Sequence, residues 1–441
     1  MNDNLLILVK LLTGLVGVFF MLWLIRRPEL FSLSQSSFNR AICGTLLLLR
    51  LGVFVFIYCL LRANAHSNIT LIYPWTSDLL SGKELYTAEV PSCYSPLYLY
   101  FTALPVIIWP SFKSIILQSI LFELIAFSIW LSVGRRLFSE QRVRLAAIFY
   151  ITSALPLWSV AVCGDNQSWV SLLLGLAVLC FLKERHVQSG VWLGLSVAAV
   201  KFLPLMYVPA FILNPRRLFR WSFGFMVIPL VVFGIFCWLG FDILLPVRVL
   251  SGQHSSGNLP FLFSILGIHL DSSEFQTIAS VMGIGALAGT VITVFLTIRA
   301  CPYDKRRVIY MITLIQMVFM LVSRKSHTAY LVMCFMPICY VISLSSLRAK
   351  GYFLLGVFQV VAAVEQSFWF RTMQMRDFSI IWDNSLPKGV SSYTIGTVLI
   401  MQIVVLVFYS WCAWLSWKFI TKGVNSNDRN SQPTARIKDD R

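Results

Sequence analysis

Apolar runs of about 20 residues recur along most of this chain, and they carry few charges. A run of that length spans the hydrocarbon core as a helix, because a helix satisfies all its backbone hydrogen bonds within one segment. Hydrophobic residues make up 58% of the 441 residues and charged residues 12%, which excludes a soluble multidomain enzyme. The predicted fold class is therefore all-α, a polytopic integral membrane protein with about 13 transmembrane helices, two of them short.

Basic residues are concentrated in short segments between the apolar runs, as at Arg26-Arg27 and Arg135-Arg136. In a soluble chain, a net charge of +17 would suggest a nucleic-acid partner. Here the basic segments indicate topology, and placing them in the cytoplasm puts the N-terminus outside. We therefore expect membrane lipid and no nucleic acid as a partner. The ten cysteines show no metal-ligand spacing, so neither structural zinc nor a disulfide is predicted.

The order of apolar and polar segments predicts four parts. Residues 1–40 form an extra N-terminal transmembrane helix and a cytoplasmic loop. Residues 41–347 form the main membrane module, whose large extracytoplasmic first loop, at 63–113, carries amphipathic helices. Residues 348–417 form C-terminal transmembrane helices, and 418–441 are polar and poor in apolar residues, which predicts a disordered cytoplasmic tail.

Polar clusters interrupt the apolar pattern, and the predicted topology places them all on the extracytoplasmic side. They lie at 66–94, 164–168, Lys201, 254–258 and 324–327. Their convergence on one membrane face predicts a functional site there.

Several of these clusters contain motifs in a family-specific order. In chain order the motifs are Tyr73, Gly82, Tyr86 and Tyr94-Ser95-Pro96-Leu97; Gly164-Asp165-Asn166-Gln167-Ser168; Gly194-Leu195 with Lys201-Phe202-Leu203-Pro204; and Ser323-Arg324-Lys325-Ser326-His327 with Tyr330. Over about 41–340 the chain resembles GT-C glycosyltransferases that use polyprenyl-phosphate sugars. It is similar to the catalytic subunit of GPI mannosyltransferase I and to bacterial polyprenol-phosphate-mannose-dependent mannosyltransferases. The resemblance implies a GT-C-like fold for the main membrane module.

The resemblance also implies an activity. A sugar, mannose by family likeness, would move from a polyprenyl or dolichyl phosphate to a lipid-linked or glycan acceptor on the extracytoplasmic face. Direct displacement at the anomeric carbon needs a base for the acceptor hydroxyl and cations for the departing phosphate. No cofactor is assigned, and a divalent cation is left open. We expect the bacterial plasma membrane, with the endoplasmic reticulum membrane as the alternative.

The chain departs from the family where the base is expected, because the acidic positions of the family fall on His66 and Asn68. Neither residue has a carboxylate. Either the catalytic base has moved, to His66, Asp78 or Asp165, or the chain is a noncatalytic relative. The alternatives for these candidates are a solvated loop residue for His66 and Asp78, and a helix N-cap for Asp165.

The remaining candidates bind rather than react. Lys201 lies in an apolar run, where an ionisable group is costly, and is assigned to the donor phosphate; the alternative is snorkelling to the interface. The same role is assigned to three residues of a basic outer cluster, Arg324, Lys325 and His327. The alternative for this cluster is a solvated turn between two helices. The candidate substrate-binding residues are Asn68, Tyr73, Tyr94, Asn166 and His254.

Two nonenzymatic functions stay open, a noncatalytic GT-C-like scaffold subunit and a transporter or flippase of lipid-linked sugars. A transporter is expected to show internal repeats with paired broken helices. Only one broken segment is evident in the sequence, at 201–204, which favours the transferase. The missing acid at Asn68 favours the scaffold.

Overall fold

The computed structural model describes residues 3–65, 67–87, 90–212, 218–251, 255–265, 272–298, 304–345, 348–372 and 392–422. Within these ranges the regular structure is helical, and one isolated β-bridge joins Leu85 to Val90. The predicted all-α class is confirmed.

The helices follow one another with short connections. In the first half they are α1 (Asp3–Ile25), α2 (Pro28–Ser32), α3 (Gln35–Phe54), α4 (Ile69–Leu80), α5 (Leu97–Ile108), α6 (Phe112–Leu137), α7 (Glu140–Thr152), α8 (Ala154–Ala161), α9 (Gln167–Leu182) and α10 (His186–Ala199). In the second half they are α11 (Val208–Phe211), α12 (Leu218–Trp238), α13 (Leu245–Ser251), α14 (Leu259–Ile265), α15 (Ser272–Ile298), α16 (Arg307–Val322), α17 (Phe335–Leu344), α18 (Arg348–Thr372) and α19 (Ser392–Lys422).

Three segments have other helical geometries. A π-helical segment, Val55–Leu60, follows α3 directly. Segments of 3₁₀ helix cover Leu203–Tyr207 before α11 and Thr328–Cys334 before α17. These tighter and looser turns occur next to the polar clusters, in keeping with the frequent use of irregular helix at functional sites.

Six helical segments in the described part of the chain are long and apolar enough to cross a membrane. They are Ile7–Ile25, Gln35–Leu60, Phe112–Leu137, Leu218–Trp238, Thr277–Thr297 and Gly396–Thr421. Helices α7 and α8 meet at an angle of 55° and add a seventh span if counted together. The chain is a multi-pass integral membrane protein. The predicted count of about 13 is not confirmed, because segments such as the 16-residue α9 and α16 are shorter than a usual span.

A buried ion pair joins the central helices. Arg50 of α3 donates two hydrogen bonds to Glu123 of α6, from Nε at 2.8 Å and from Nη2 at 2.7 Å. The hydroxyl of Tyr150 on α7 donates a third hydrogen bond to the same carboxylate at 3.0 Å. Because a buried charge is costly without such partners, this network fixes the positions of α3, α6 and α7 relative to one another.

Two breaks in the helical path position the polar clusters. The first is the turn between α8 and α9, where Gly164 has a φ of +59° and a Cβ would lie 3.0 Å from a side-chain carbon of Ile116. The second is the predicted hinge near Lys201, which is confirmed as a gap between α10 and the next 3₁₀ segment. Ser95, just before α5, stabilises the chain at this gap, because its N–H donates to the carbonyl of Val200 at 3.1 Å.

Candidate active site

A buried carboxylate lies where two loops meet. Asp165, in the turn between α8 and α9, accepts a hydrogen bond from the hydroxyl of Ser159 at 2.9 Å. Its other oxygen accepts one from the side-chain amide of Asn68, at the start of α4, at 3.2 Å. Neither of these two bonds involves a backbone N–H of the first turn of α9, and the N-cap residue of that helix is Asn166. The N-cap interpretation of Asp165 is therefore wrong. Asn68, at the position where the family carries an acid, directly contacts the carboxylate of Asp165.

Burial raises the pKa of the Asp165 carboxyl above its usual range, because a charge there has lost most of its hydration. Ser159, Lys201, Asn68 and Lys10 oppose this shift, the first and third through hydrogen bonds and the two lysines through charge. A carboxylate with a raised pKa binds a proton more readily, which suits a group that must accept one.

Lys201 lies in the gap after α10, and its side chain is buried. Its ammonium group is 4.7 Å from the ring centroid of Tyr330, a cation–π contact. Burial lowers the pKa of Lys201 to about 8, and the negative charge of Asp165 opposes the shift. The structure thus brings the acid and this cation into one electrostatically coupled centre.

The basic loop, residues 323–327, follows α16 and faces the same centre. Burial lowers the pKa of Lys325 to about 8. The ring of His327 lies 4.0 Å from that of Tyr330, centroid to centroid. Burial, together with the charges of Lys201 and Lys325, lowers the pKa of His327 to about 3. His327 is therefore neutral at physiological pH, and the positive charge of the loop comes from Arg324 and Lys325.

A second loop, residues 255–258, fixes the basic loop. The N–H of Ser255 donates to the carbonyl of Arg324 at 2.9 Å. The side-chain amide of Asn258 donates to the carbonyls of Arg324 and Ser326, each at 3.3 Å, while its oxygen accepts from the N–H of Phe261 at 2.9 Å. All these contacts reach backbone atoms, so they set the course of the loop without involving its basic side chains.

An apolar groove ends at the basic loop. It has a volume of about 270 Å³ and lies between α15 and α16. Its lining is mostly small or apolar and includes Gly283, Leu287 and Phe319. Arg324 and Lys325 also line it. The groove therefore combines an apolar surface with the positive charge of Arg324 and Lys325.

A smaller cavity lies beside Asp165. Its volume is about 90 Å³, and polar side chains from five parts of the chain line it, among them Asn68, Ser159 and His327. Asp165 itself is part of the lining. The carboxylate is therefore reachable by a small polar group.

The predicted site residues divide into two sets. Asn68, Asp165, Lys201, Lys325 and His327 are brought together as described, and Arg324 lies on the same basic loop. The structure also places two buried residues near this centre: Tyr94, which interacts electrostatically with Asp165 and Tyr330, and Asn166, which lies beside Tyr98.

Tyr73 and Asp78 lie apart from this centre. Asp78 pairs with Lys83 at 2.9 Å, and both are partly exposed. It lies about 15 Å along the α4 axis from Asn68, at 1.5 Å per residue. The hydroxyl of Tyr73 donates to the carbonyl of Pro110 at 3.1 Å and so joins α4 to the start of α6. His66 and His254 lie outside the described residues.

Two residues at the centre were not identified from the sequence. Ser159 lies in a buried apolar helix and gives no signal of its own. Lys10 lines the small cavity, although it belongs to the first apolar helix. Its signal was available, because a lysine within a membrane span is costly and so marks a functional candidate. As for metals, no group of three or more His, Cys, Asp or Glu side chains in the described part of the chain is arranged to hold an ion.

Comparison with known proteins identifies the class. Residues 93–324 match Glycosyltransferase family 87, and this region includes Asp165, Lys201 and the start of the basic loop. The chain belongs to this family, and the resemblance to GT-C glycosyltransferases is confirmed. It is a membrane glycosyltransferase by family.

The chain can also be compared with a solved membrane-protein structure. It is the crystal structure of ArnT from Cupriavidus metallidurans bound to undecaprenyl phosphate, with 13% sequence identity and a TM-score of 0.48. The similarity covers 88% of this chain and 78% of that one. No curated protein sequence matches this chain significantly.

Proposed function

We propose that this protein transfers a sugar, mannose by family likeness, from a polyprenyl or dolichyl phosphate to a lipid-linked or glycan acceptor. The reaction would take place on the extracytoplasmic face, in the bacterial plasma membrane or alternatively in the endoplasmic reticulum. One observation carries the proposal: the buried Asp165 carboxylate opens into a cavity and interacts electrostatically with the buried Lys201 ammonium. A base and a cation are the two groups that the displacement requires.

The proposed base is Asp165. In the family the acid lies at the positions of His66 and Asn68, and Asn68 cannot accept a proton from a hydroxyl. Because the amide of Asn68 contacts Asp165 at 3.2 Å, a carboxylate is present in the same corner of the site, supplied by a different loop. This placement supports relocation of the base over its loss. Asn68 then keeps a supporting role, since its N–H stabilises the charged form of Asp165.

The proposed donor site combines the apolar groove with the basic loop. A polyprenyl chain is a long hydrocarbon, and the groove of about 270 Å³ offers it a matching apolar surface. Its phosphate would lie at the end of the groove, against Arg324 and Lys325, with Lys201 on the side towards Asp165. Buried cations bind phosphate strongly because their attraction is little screened there.

The proposed reaction follows from this arrangement. The acceptor hydroxyl gives its proton to the Asp165 carboxylate while the hydroxyl oxygen bonds to the anomeric carbon. The bond from that carbon to the phosphate oxygen breaks, and the phosphate leaves with the electron pair. Lys201 and Lys325 stabilise the negative charge that develops on the leaving oxygen. The neutral imidazole of His327 can hydrogen-bond a sugar hydroxyl without adding charge.

A transfer assay tests this proposal. Membranes containing the wild-type protein would receive radiolabelled polyprenyl-phosphate mannose, and parallel samples other polyprenyl-phosphate hexoses. Label should enter a lipid or glycan product, and Asp165→Asn or Lys201→Ala should lower the rate of transfer by about 10²-fold or more. Asp78→Asn is the matched control, because Asp78 is an acidic residue of the same region that pairs with Lys83 away from the centre.

The alternatives give different results. If folded wild-type protein transfers no label from any donor, or if Asp165→Asn is as active as Asp78→Asn, the proposed mechanism is wrong. Movement of an intact labelled lipid-linked sugar across the bilayer, without transfer, would support the transporter or flippase. Absence of both activities would support the scaffold subunit.

A further inference from the structure

Helix α1, outside the matched family region, packs tightly into the bundle. It contacts α7, α8 and α18. At Gly17 an added Cβ would lie 2.3 Å from the carbonyl oxygen of Thr152, and at Gly14 it would lie 3.0 Å from the Cα of Val360. Such approaches require glycine, so α1 has one close-packed position against the bundle. The residues that α1 presents to the interior are therefore fixed in place.

Lys10 is the charged residue that α1 presents to this interior. Its ammonium group donates to the hydroxyl of Ser367 on α18 at 2.6 Å, and it lies 5.4 Å from the ring centroid of Trp158. Within the described residues no carboxylate oxygen lies within 4.0 Å of it. An ammonium group has three N–H donors, so a half-buried lysine with a single hydroxyl acceptor has donors left for another partner.

The side chain of Lys10 reaches the small cavity beside Asp165. Lys10, Ser367 and His327 all line it. At about 90 Å³ it has room for roughly three water molecules, at about 30 Å³ each. The Nδ1 atom of His327 is buried and has no hydrogen-bond partner among the described residues. Buried polar atoms are normally satisfied, so an unpartnered imidazole nitrogen and an ammonium with a single hydrogen bond in one cavity indicate a polar ligand.

We propose that this cavity is the acceptor subsite and that Lys10 binds a phosphate-type oxyanion carried by the acceptor. The proposal rests on the proposed function, since Asp165, which also lines the cavity, would receive the proton of the acceptor hydroxyl. Lys10 lies about one turn inside the span that begins at Ile7, which is close to the depth of lipid headgroups. A lipid phosphate ester is therefore the expected source of the oxyanion.

Ligand binding tests the subsite without relying on catalysis. The full chain, purified in detergent, would be unfolded by heat in the presence of increasing inorganic phosphate, with chloride at matched ionic strength as the reference. Lys10→Met should bind phosphate about tenfold more weakly than wild type, because a charge-assisted hydrogen bond is lost. Lys10→Arg, which keeps the charge, should retain most of the binding. The donor-side lysines are present in every protein compared, so the difference isolates Lys10.

A lipid arm distinguishes the sources of the phosphate. The same proteins would be placed in phosphatidylcholine nanodiscs with or without phosphatidic acid. Stabilisation by phosphatidic acid that is lost in Lys10→Met supports an acceptor with a lipid phosphate, and an effect of inorganic phosphate alone supports a soluble one. Equal responses of wild type and Lys10→Met to both ligands would overturn the proposal. Because neither readout needs transfer, a Lys10-dependent response without transferase activity would refute the proposed function alone.

Discussion

Exchanging the two side chains at the acid centre tests whether Asp165 has taken the place of the family base. In Asp165→Asn the new amide keeps both contacts, because its oxygen accepts from Asn68 and its N–H₂ group can donate to the hydroxyl of Ser159. The fold should therefore be retained, and the loss should fall on proton transfer. In the double variant, Asn68→Asp with Asp165→Asn, the carboxylate and the amide change places.

The distances set the expected magnitudes. Loss of a general base lowers the rate by about 10²- to 10⁴-fold, which corresponds to roughly 2.7–5.5 kcal/mol. The exchange moves the carboxylate by about the 3.2 Å that separates the two groups. Because general-base catalysis depends on the position of the base, the double variant should recover only part of the loss.

Initial rates of sugar transfer from labelled polyprenyl phosphate, normalised to folded protein, measure both effects. Asn68→Asp alone provides a further control, because two carboxylates about 3 Å apart hold one proton between them. It should stay active with its acid limb moved to higher pH. If Asp165→Asn kept more than about a tenth of the wild-type rate, Asp165 would not be the base. If the double variant were no faster than Asp165→Asn, the exchange of position would be wrong.

Three further predictions concern the surroundings of the site. Glu123→Gln leaves the Arg50 guanidinium buried without its counterion and should lower the free energy of unfolding by about 3–5 kcal/mol, measured by denaturation in detergent; a loss below about 1 kcal/mol would contradict this. Because donor binding uses protonated lysines, and the pKa of Lys201 is about 8, the donor KM should rise as the pH increases above about 8. Lys201→Arg, which stays protonated, leaves Lys325 to lose its proton in this range and should make that rise shallower, and an unchanged profile would exclude Lys201 from donor binding. Asn258→Ala removes the donors that fix the basic loop and should raise the donor KM by roughly tenfold with a smaller change in kcat; a loss confined to kcat would refute this positioning role.

The sequence predicted the parts of the site that depend on local pattern. A lysine and a proline within an apolar run predicted the break at Lys201, because neither fits a continuous span. The family motifs identified Asp165 and the basic loop as candidates. After the basic loop, the apolar residues from Thr328 form a 3₁₀ segment, Thr328–Cys334, before the α-helix α17 begins. No residue pattern in that segment distinguishes the two helical geometries.

Contacts between distant parts of the chain could not be predicted in the same way. Asn68 and Asp165 are 97 residues apart, and their hydrogen bond requires α4 and the turn before α9 to meet. Lys10 and Ser367 are 357 residues apart, and their contact depends on how α1 packs against α18. Asp78 lies in the motif region, but it is ten residues after Asn68 on α4, and the helix places it about 15 Å away from the acid centre. There it pairs with Lys83. Tertiary packing, which no local pattern encodes, therefore decided which candidates meet.

Burial also makes the protonation of each charged group in the site depend on the charges of its neighbours. It raises the pKa of Asp165 and lowers those of Lys201 and Lys325, so charges of both signs are disfavoured while the site holds no substrate. An arriving donor phosphate brings negative charge next to the lysines and favours their protonated form. Protonated Lys201 in turn favours the charged carboxylate of Asp165, which is the form that accepts a proton. In the acid range Lys201, with a pKa of about 8, is protonated with or without the donor, so the added phosphate charge should move the acid limb of transfer to higher pH in kcat than in kcat/KM for the donor. An acid limb at the same pH in both parameters would show that the base titrates independently of the donor.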